Sequence, residues 1–393
     1  MRRLVVLVSA IVLLDTAFYS AVAPLLPHYV DELDLSKSAA GILTGSFAAG
    51  SLAGAVPAIM LTGRLGVKQA VLVGLAGLAL SSLVFGFARE VWLLDVTRFV
   101  QGLASACTWT AGFAWVVERA PPERRGAVIG TPLAAAIAGA LAGPVLGSAA
   151  SELGPEPVFA GVAAAGIILA LLALLESGVP SAGSTELHHA AAALGRPGVR
   201  LGVWLVALPA LAAGVLNVLV PLRLDALGAS GFAIGAVYLV AAGVESAFSP
   251  VLGRVSDRRG RIVPIRGGLL GAAMLLVLLP VFASAAVVGV LFVLTSVAAA
   301  AFWAPAMALL SDEVERARVQ QAASFAFTNV AWSIGQLIGN AGGSSLAEAT
   351  ADWASYGLVG LLCVITLAAL SRPGRGTAGS ASPGVPHGRP PSP

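Results

Sequence analysis

Apolar residues in this chain do not alternate with polar ones; they come in long unbroken stretches separated by short polar breaks. Twelve such stretches are readable, at about 4–26, 39–62, 69–88, 92–116, 127–150, 157–176, 200–221, 233–252, 265–283, 286–308, 320–345 and 354–371. Each is about 18 to 26 residues, enough to cross a hydrocarbon layer of about 30 Å as a helix. Continuous rather than alternating apolarity predicts helices, since lipid offers no partner to a backbone group and a helix closes its hydrogen bonds within itself. The first stretch follows Met1-Arg2-Arg3 and could pass for a signal peptide. It is too long for one, carries Asp15 mid-run and shows no convincing cleavage site before Pro24 and Pro27, so it is expected to remain as a span.

The breaks repeat. Read without a gap at an offset of 194, Pro27 falls on Pro221, Asp31 on Asp225, Gly41 on Gly235, Arg64 on Arg258, Gly66 on Gly260 and Arg124 on Arg318, and Glu118 falls on Asp312. Turn glycines and loop charges on one offset predict two parallel halves of six spans, a transporter architecture whose substrate site lies where the halves meet. The expected organisation is a first half over 1–176, a linker over 177–199, a second half over 200–371 and a disordered tail over 372–393, rich in Gly, Pro and Ser.

Composition agrees: 58% of the residues are hydrophobic and 11% charged, where soluble domains are about a quarter charged. Of the 23 basic residues, nineteen fall on one side of the twelve-span arrangement. Only Lys37, Arg89 and Arg223 fall on the other, and Arg98 lies inside a span. The positive-inside rule then places both termini in the cytoplasm, and short loops favour a prokaryotic plasma membrane. No basic stretch is interleaved with aromatics, so nucleic acid is not an expected partner. Cys107 and Cys363 sit within spans without metal-ligand spacing, and neither a metal nor a cofactor is expected.

The loops after the second and eighth spans carry a family resemblance. Gly253-Arg-Val-Ser-Asp257-Arg258-Arg-Gly260-Arg261 resembles the G-x-x-x-D-R-x-G-R loop signature of the major facilitator superfamily. The first-half equivalent keeps Arg64, Gly66 and Lys68 but has Gly63 where the acid belongs. Glu118 and Asp312, at the ends of the fourth and tenth spans, are the expected partners of Arg64 and Arg258, and Asp257 is expected to cluster with Arg258 and Arg261. Arg98-Phe-Val-Gln101-Gly102 is similar to the family's R-x-x-Q-G element, whose arginine the resemblance implicates in proton coupling. Gly139, Gly143, Pro144 and Gly147 match G-x-x-x-G-P-x-x-G, an element that the family associates with antiporters. The resemblance implies an all-α membrane protein with twelve transmembrane helices in two six-helix halves, usually monomeric.

Ionisable groups inside the bilayer are costly and default to function. Asp15 lies mid-span, and the resemblance places the first span along the cavity. A carboxylate there can bind a proton or an organic cation, or bond structurally to a neighbouring helix. Arg98 has Asp95 one turn earlier, so a local pair rivals a functional role. Glu245 is a second candidate proton site, or an acid reaching the arginine cluster. Tyr19, Gln101, Trp109, Phe113, Asn217, Asn329, Trp332 and Gln336 are candidates for a mostly apolar cavity suited to a hydrophobic or amphipathic ligand.

The four histidines lie in loops or the tail, and no G-x-x-x-x-G-K-[ST] phosphate loop is present, so neither an enzyme nor an ATP-driven pump is expected. The expectation is a proton-coupled exporter of small hydrophobic compounds. An importer of a small metabolite stands as one alternative, and a sensor or scaffold of the same fold as another.

Overall fold

The computed structural model describes residues 1–121, 125–178, 192–317 and 321–371, and among these it contains helices and no strand. The first half comprises α1 (Arg2–Leu33), α2 (Lys37–Leu65), α3 (Val67–Phe87), α4 (Val91–Arg119), α5 (Arg125–Leu153) and α6 (Pro155–Leu175). The second comprises α7 (Pro197–Ala226), α8 (Gly231–Arg259), α9 (Ile262–Leu278), α10 (Ala285–Arg316), α11 (Gln321–Leu337), α12 (Gly343–Ala349) and α13 (Asp352–Ser371). A five-residue π-helical segment, Ile338–Gly342, joins α11 to α12, so these three together form the eleventh span. The tail and most of the linker lie outside the described residues.

Nine of the described helices are long and apolar enough to cross a membrane. The other spans depart from that pattern for visible reasons: α4 carries Asp95 and Arg98, α9 has only 17 residues, and the eleventh is interrupted by the π-helical segment. The expected helix over 265–283 thus ends five residues early, in a turn at Leu279–Val281.

Packing repeats between the halves. In the first, α1 packs on α5, and α2 and α3 on α4; in the second, α7 packs on α11, and α8 and α9 on α10. The loop motif's glycines have a plain cause: Gly66 (φ 87°) and Gly260 (φ 81°) adopt left-handed backbone, which L side chains rarely tolerate. Each lets one helix end and the next begin within a single residue or two.

The cores show how the halves sit. One continuous apolar cluster runs from Leu4, Val71 and Trp115 through the first half into Leu216, Leu224, Ile234 and Val288 of the second. A separate one, with Val199, Leu269, Phe302 and Leu310, is confined to the part of the second half nearer the termini. Among the described residues, the apolar core that joins the halves therefore lies towards the end away from the termini.

Candidate functional site

The geometry starts from close helix approach. A Cβ built on Gly102 would fall on the backbone of Phe47 and Ser51, and one on Gly50 would fall on Phe99. With no side chain at either glycine, α2 and α4 touch, and the Phe47 ring comes to lie over Arg98. The guanidinium carbon stands 5.0 Å from that ring's centroid and 6.0 Å from the Tyr19 ring, within the reach of cation–π attraction. Arg98 is 1% exposed and donates from Nη1 to Gln101 Oε1. The local pair with Asp95 does not form: Asp95 makes no ion pair among the described residues, and its Oδ1 is buried without a partner. The two lie i, i+3 apart, yet Arg98 turns to the interior stripe it shares with Gln101.

That stripe continues. Arg98, Gln101, Ser105 and Trp109 follow at i, i+3, i+7 and i+11, one face of α4. The last two reach Asp15 on α1, Ser105 donating through Oγ at 2.7 Å and Trp109 through Nε1 at 2.8 Å, both to Oδ2. Asp15 is 2% exposed, and its Oδ1 has no hydrogen-bond partner among the described residues. The Arg98 Nε and Gln101 Nε2 are likewise buried without partners. Asp15 and Arg98 make no direct bond but lie close enough for their charges to act on each other. An isolated buried charge costs several kcal/mol, so each is partly sustained by the other.

The cavity candidates divide. Tyr19, Phe47 and Trp332 form an aromatic trio across the halves, with centroids 4.7 Å, 5.4 Å and 6.3 Å apart. Asn217 lies beside the Tyr19 hydroxyl. Trp109 stacks on Phe113 at 5.6 Å. Gln336 accepts from Asn340 Nδ2 at 3.0 Å on the seam with α7. Asn329 is exposed and joins none of these contacts. Glu245 falls on the buried stripe of α8 that includes Ile234, Tyr238, Ala241 and Ser256, yet is itself exposed.

The sequence missed Phe47, Ser105, Ser51, Ser333 and Asn340. Ser51 and Ser333 place their hydroxyls 3.3 Å apart across the halves. Helical spacing from Arg98 would have found Ser105; nothing in the sequence marks Phe47.

The antiporter-type stripe is the α1–α5 seam. Gly139 meets Leu13, Thr16 and Ala17, Gly143 meets Ala17 and Ser20, and Gly147 meets Ala21 and Pro24. In the second half, Gly335 meets Ala207, Ala210 and Leu211, Gly339 meets Leu211 and Gly214, and Gly343 meets Val215. The partners on α1 and α7 keep the offset of 194, whereas the glycines stand 196 apart. An ungapped reading puts Gly139 on Ser333 and hides the second stripe.

In the loops the expected pairings are corrected. Asp312 binds Arg261, at 2.5 Å to Nε and 3.0 Å to Nη2, and not Arg258. Asp257 and Arg258 are exposed, and among the described residues neither forms an ion pair, so the expected cluster around Asp257 is absent. Arg64 is exposed and forms none either. Lys68 donates to the carbonyls of Leu174 and Glu176 at 2.7 Å each. It thereby satisfies the C-terminus of α6, and Arg266 does the same for α13 at Leu370.

The sequence model described as Major Facilitator Superfamily matches residues 8–288 and again 202–392. The "MFS-type transporter ppzB" of Metarhizium majus is 32% identical over 171 residues, 42% of this chain and 36% of that protein. "Multidrug resistance protein MdtG" of Proteus mirabilis is 32% identical over 152 residues, 37% of this chain and 38% of that one. The chain thus spans little more than a third of the length of these relatives. Among solved structures, a bacterial homolog of the human lysosomal transporter Spinster, in an inward-facing and unoccupied conformation, superposes with a TM-score of 0.75. It is 17% identical, with 93% of this chain and 94% of that one covered.

Proposed function

The chain belongs to the major facilitator superfamily, and we propose that it is a monomeric, proton-coupled secondary transporter that exports small hydrophobic or amphipathic compounds by alternating access. The observation that carries this reading is Asp15. Its Oδ2 is held by two donors while its Oδ1 is buried and free, the arrangement of a carboxylate that can take and release one proton without losing its place. Arg98 lies close by, so proton binding at Asp15 alters the electrostatic support of Arg98 as well. Both sit on α4 and α1, beside the aromatic trio that joins the halves. A change of charge there is positioned to bias how the halves meet.

The Tyr19–Phe47–Trp332 surface offers a ligand flat apolar faces, with Asn217 to orient it. The resemblance to a multidrug resistance protein and the tight α1–α5 seam favour export. Cells expressing the protein should tolerate at least one lipophilic compound of a panel better than control cells, and a protonophore should remove the difference. Facilitated uptake that ignores the protonophore would overturn the reading.

The proposed setting is a plasma membrane with both termini cytoplasmic. Cysteines introduced at 63–68 and 254–264 should react with an impermeant reagent only from the cytoplasmic side, and those at 28–38 and 223–231 only from outside. The reverse pattern would invert the direction of transport.

A further inference from the structure

At the end of the bundle away from the termini, α2 of the first half meets α12 and α13 of the second through charges. The amide of Ser38, in the first turn of α2, has no partner within its own helix. It donates to Glu348 Oε2 of α12 at 2.6 Å. Beside it, Lys37 Nζ lies 2.6 Å from Asp352 Oδ1, at the start of α13. Ser38 and Ser345 bring their hydroxyls to 3.2 Å, and Gly41 packs directly on Ser344 and the Asn340 carbonyl. A carboxylate at a helix N-terminus is favoured by the backbone dipoles as well as by its hydrogen bond. Here that carboxylate comes from the opposite half.

The pseudo-symmetric seam supplies an internal control. Ser36 caps α2, and its repeat mate Ser230 caps α8, each accepting a backbone amide at 3.3 Å. At the 196 offset that relates the fifth and eleventh spans, Glu348 corresponds to Glu152, which stands near Gly231 at the start of α8. Among the described residues Glu152 makes no hydrogen bond to that helix, and Lys37 is matched by Gly231. That seam is held by Ser148, which donates to the Pro144 and Gly231 carbonyls, and by the close approach of Gly235. The charged contacts are therefore not something the fold requires at both seams.

We propose that Glu348 and Lys37 form a latch that holds this end of the transporter shut, and that acid on this side releases it by protonating Glu348. The Ser38 amide first, then the Ser36 and Ser38 side chains and the Lys37 charge, hold the Glu348 carboxyl below the usual carboxylate range. The charged groups facing this carboxylate are Lys37 on α2 and, beyond that lysine, Asp352 on α13. With the latch open, Glu348 becomes an ordinary exposed glutamate. Its ionised form thus favours the latched state: the contribution is complete above the ordinary value of about 4.3 and is lost as pH falls through the lowered one.

The test reads distances directly and does not depend on knowing the substrate or the direction of transport. Spin labels at Glu90→Cys and Val281→Cys report on the latched end, and labels at Gly63→Cys and Gly253→Cys on the other, in a Cys107→Ser, Cys363→Ala background. At about pH 7.5, Glu348→Gln and Lys37→Gln should each raise the population with long distances at the latched end by roughly threefold to fivefold, the range of partly exposed ion pairs. Distances at the other end should shorten in step. As the pH is lowered stepwise below the ordinary carboxylate range, the unmodified chain should approach Glu348→Gln, which itself changes little, while Lys37→Gln keeps its acid response. Wild-type distance distributions in both variants at neutral pH, or a full acid response in Glu348→Gln, would overturn the latch.

Discussion

Asp15→Asn should leave the protein folded and in the membrane while reducing gradient-driven transport to the level of cells without it. Asparagine keeps the shape of the side chain and can still accept from Ser105 and Trp109, so packing of α1 on α4 should survive. What it cannot do is exchange a proton at the second oxygen, which is free and buried in the native protein. The neutral amide also withdraws the negative charge that helps sustain Arg98 in a site with 1% exposure. Ser105→Ala and Trp109→Phe, which each remove one donor, should shift the pH profile and leave transport measurable. Substrate uptake into inverted vesicles under an imposed pH gradient makes the comparison. If Asp15→Asn transports with an unaltered pH profile, the proton is carried elsewhere, and Glu245 on α8 is the next residue to neutralise.

The second large effect is structural. Gly143→Leu should sharply lower the yield of folded, monodisperse protein, because even a Cβ at this position would collide with the Ser20 side chain and stand 2.8 Å from the Ala17 carbonyl oxygen. The Ser20 hydroxyl could rotate away, but the Ser20 Cβ at 2.7 Å and the Ala17 carbonyl cannot, so α1 and α5 must part. Overpacking of a dense interior typically costs about 1–3 kcal/mol and sometimes more, and here the seam is shared by three successive glycines, which leaves little room to relax. Gly339→Leu should behave the same way, since its Cβ would meet the Leu211 backbone and stand 3.0 Å from Gly214 Cα. Gly63→Ala is the control, with nothing within 4 Å of the added carbon. Thermal melts followed by size exclusion would decide it. A Gly143→Leu protein that melts with Gly63→Ala would show the seam to be loose.

Twelve helical spans in two related halves were legible in the sequence, because lipid imposes one rule on every segment: a continuous apolar surface and a self-closing backbone. The loop glycines Gly66 and Gly260 were legible as well, since a left-handed turn admits few other residues. Asp15 and Arg98 stood out because a charge within an apolar span has no cheap explanation. In each case the constraint acts on one residue or one helix, and a single sequence records it.

Relations between helices were decided only in three dimensions. Arg98 had Asp95 and the interior to choose from; the approach of α2 to α4 at Gly50 and Gly102, which brings Phe47 over the guanidinium, set its direction. Asp312 took Arg261 instead of Arg258 because the turn at Gly260 determines which side chain meets α10. Two residues added between Asp312 and Gly335 broke the register that the ungapped repeat had established, and with it the visibility of the second glycine stripe. Glu348 and Ser38, some three hundred residues apart, became partners only because the halves close at one end. Charge and apolarity are written residue by residue, whereas which charges meet depends on helix register, and register is fixed by small contacts such as Gly143 on Ala17 that leave no distinct mark in composition or period.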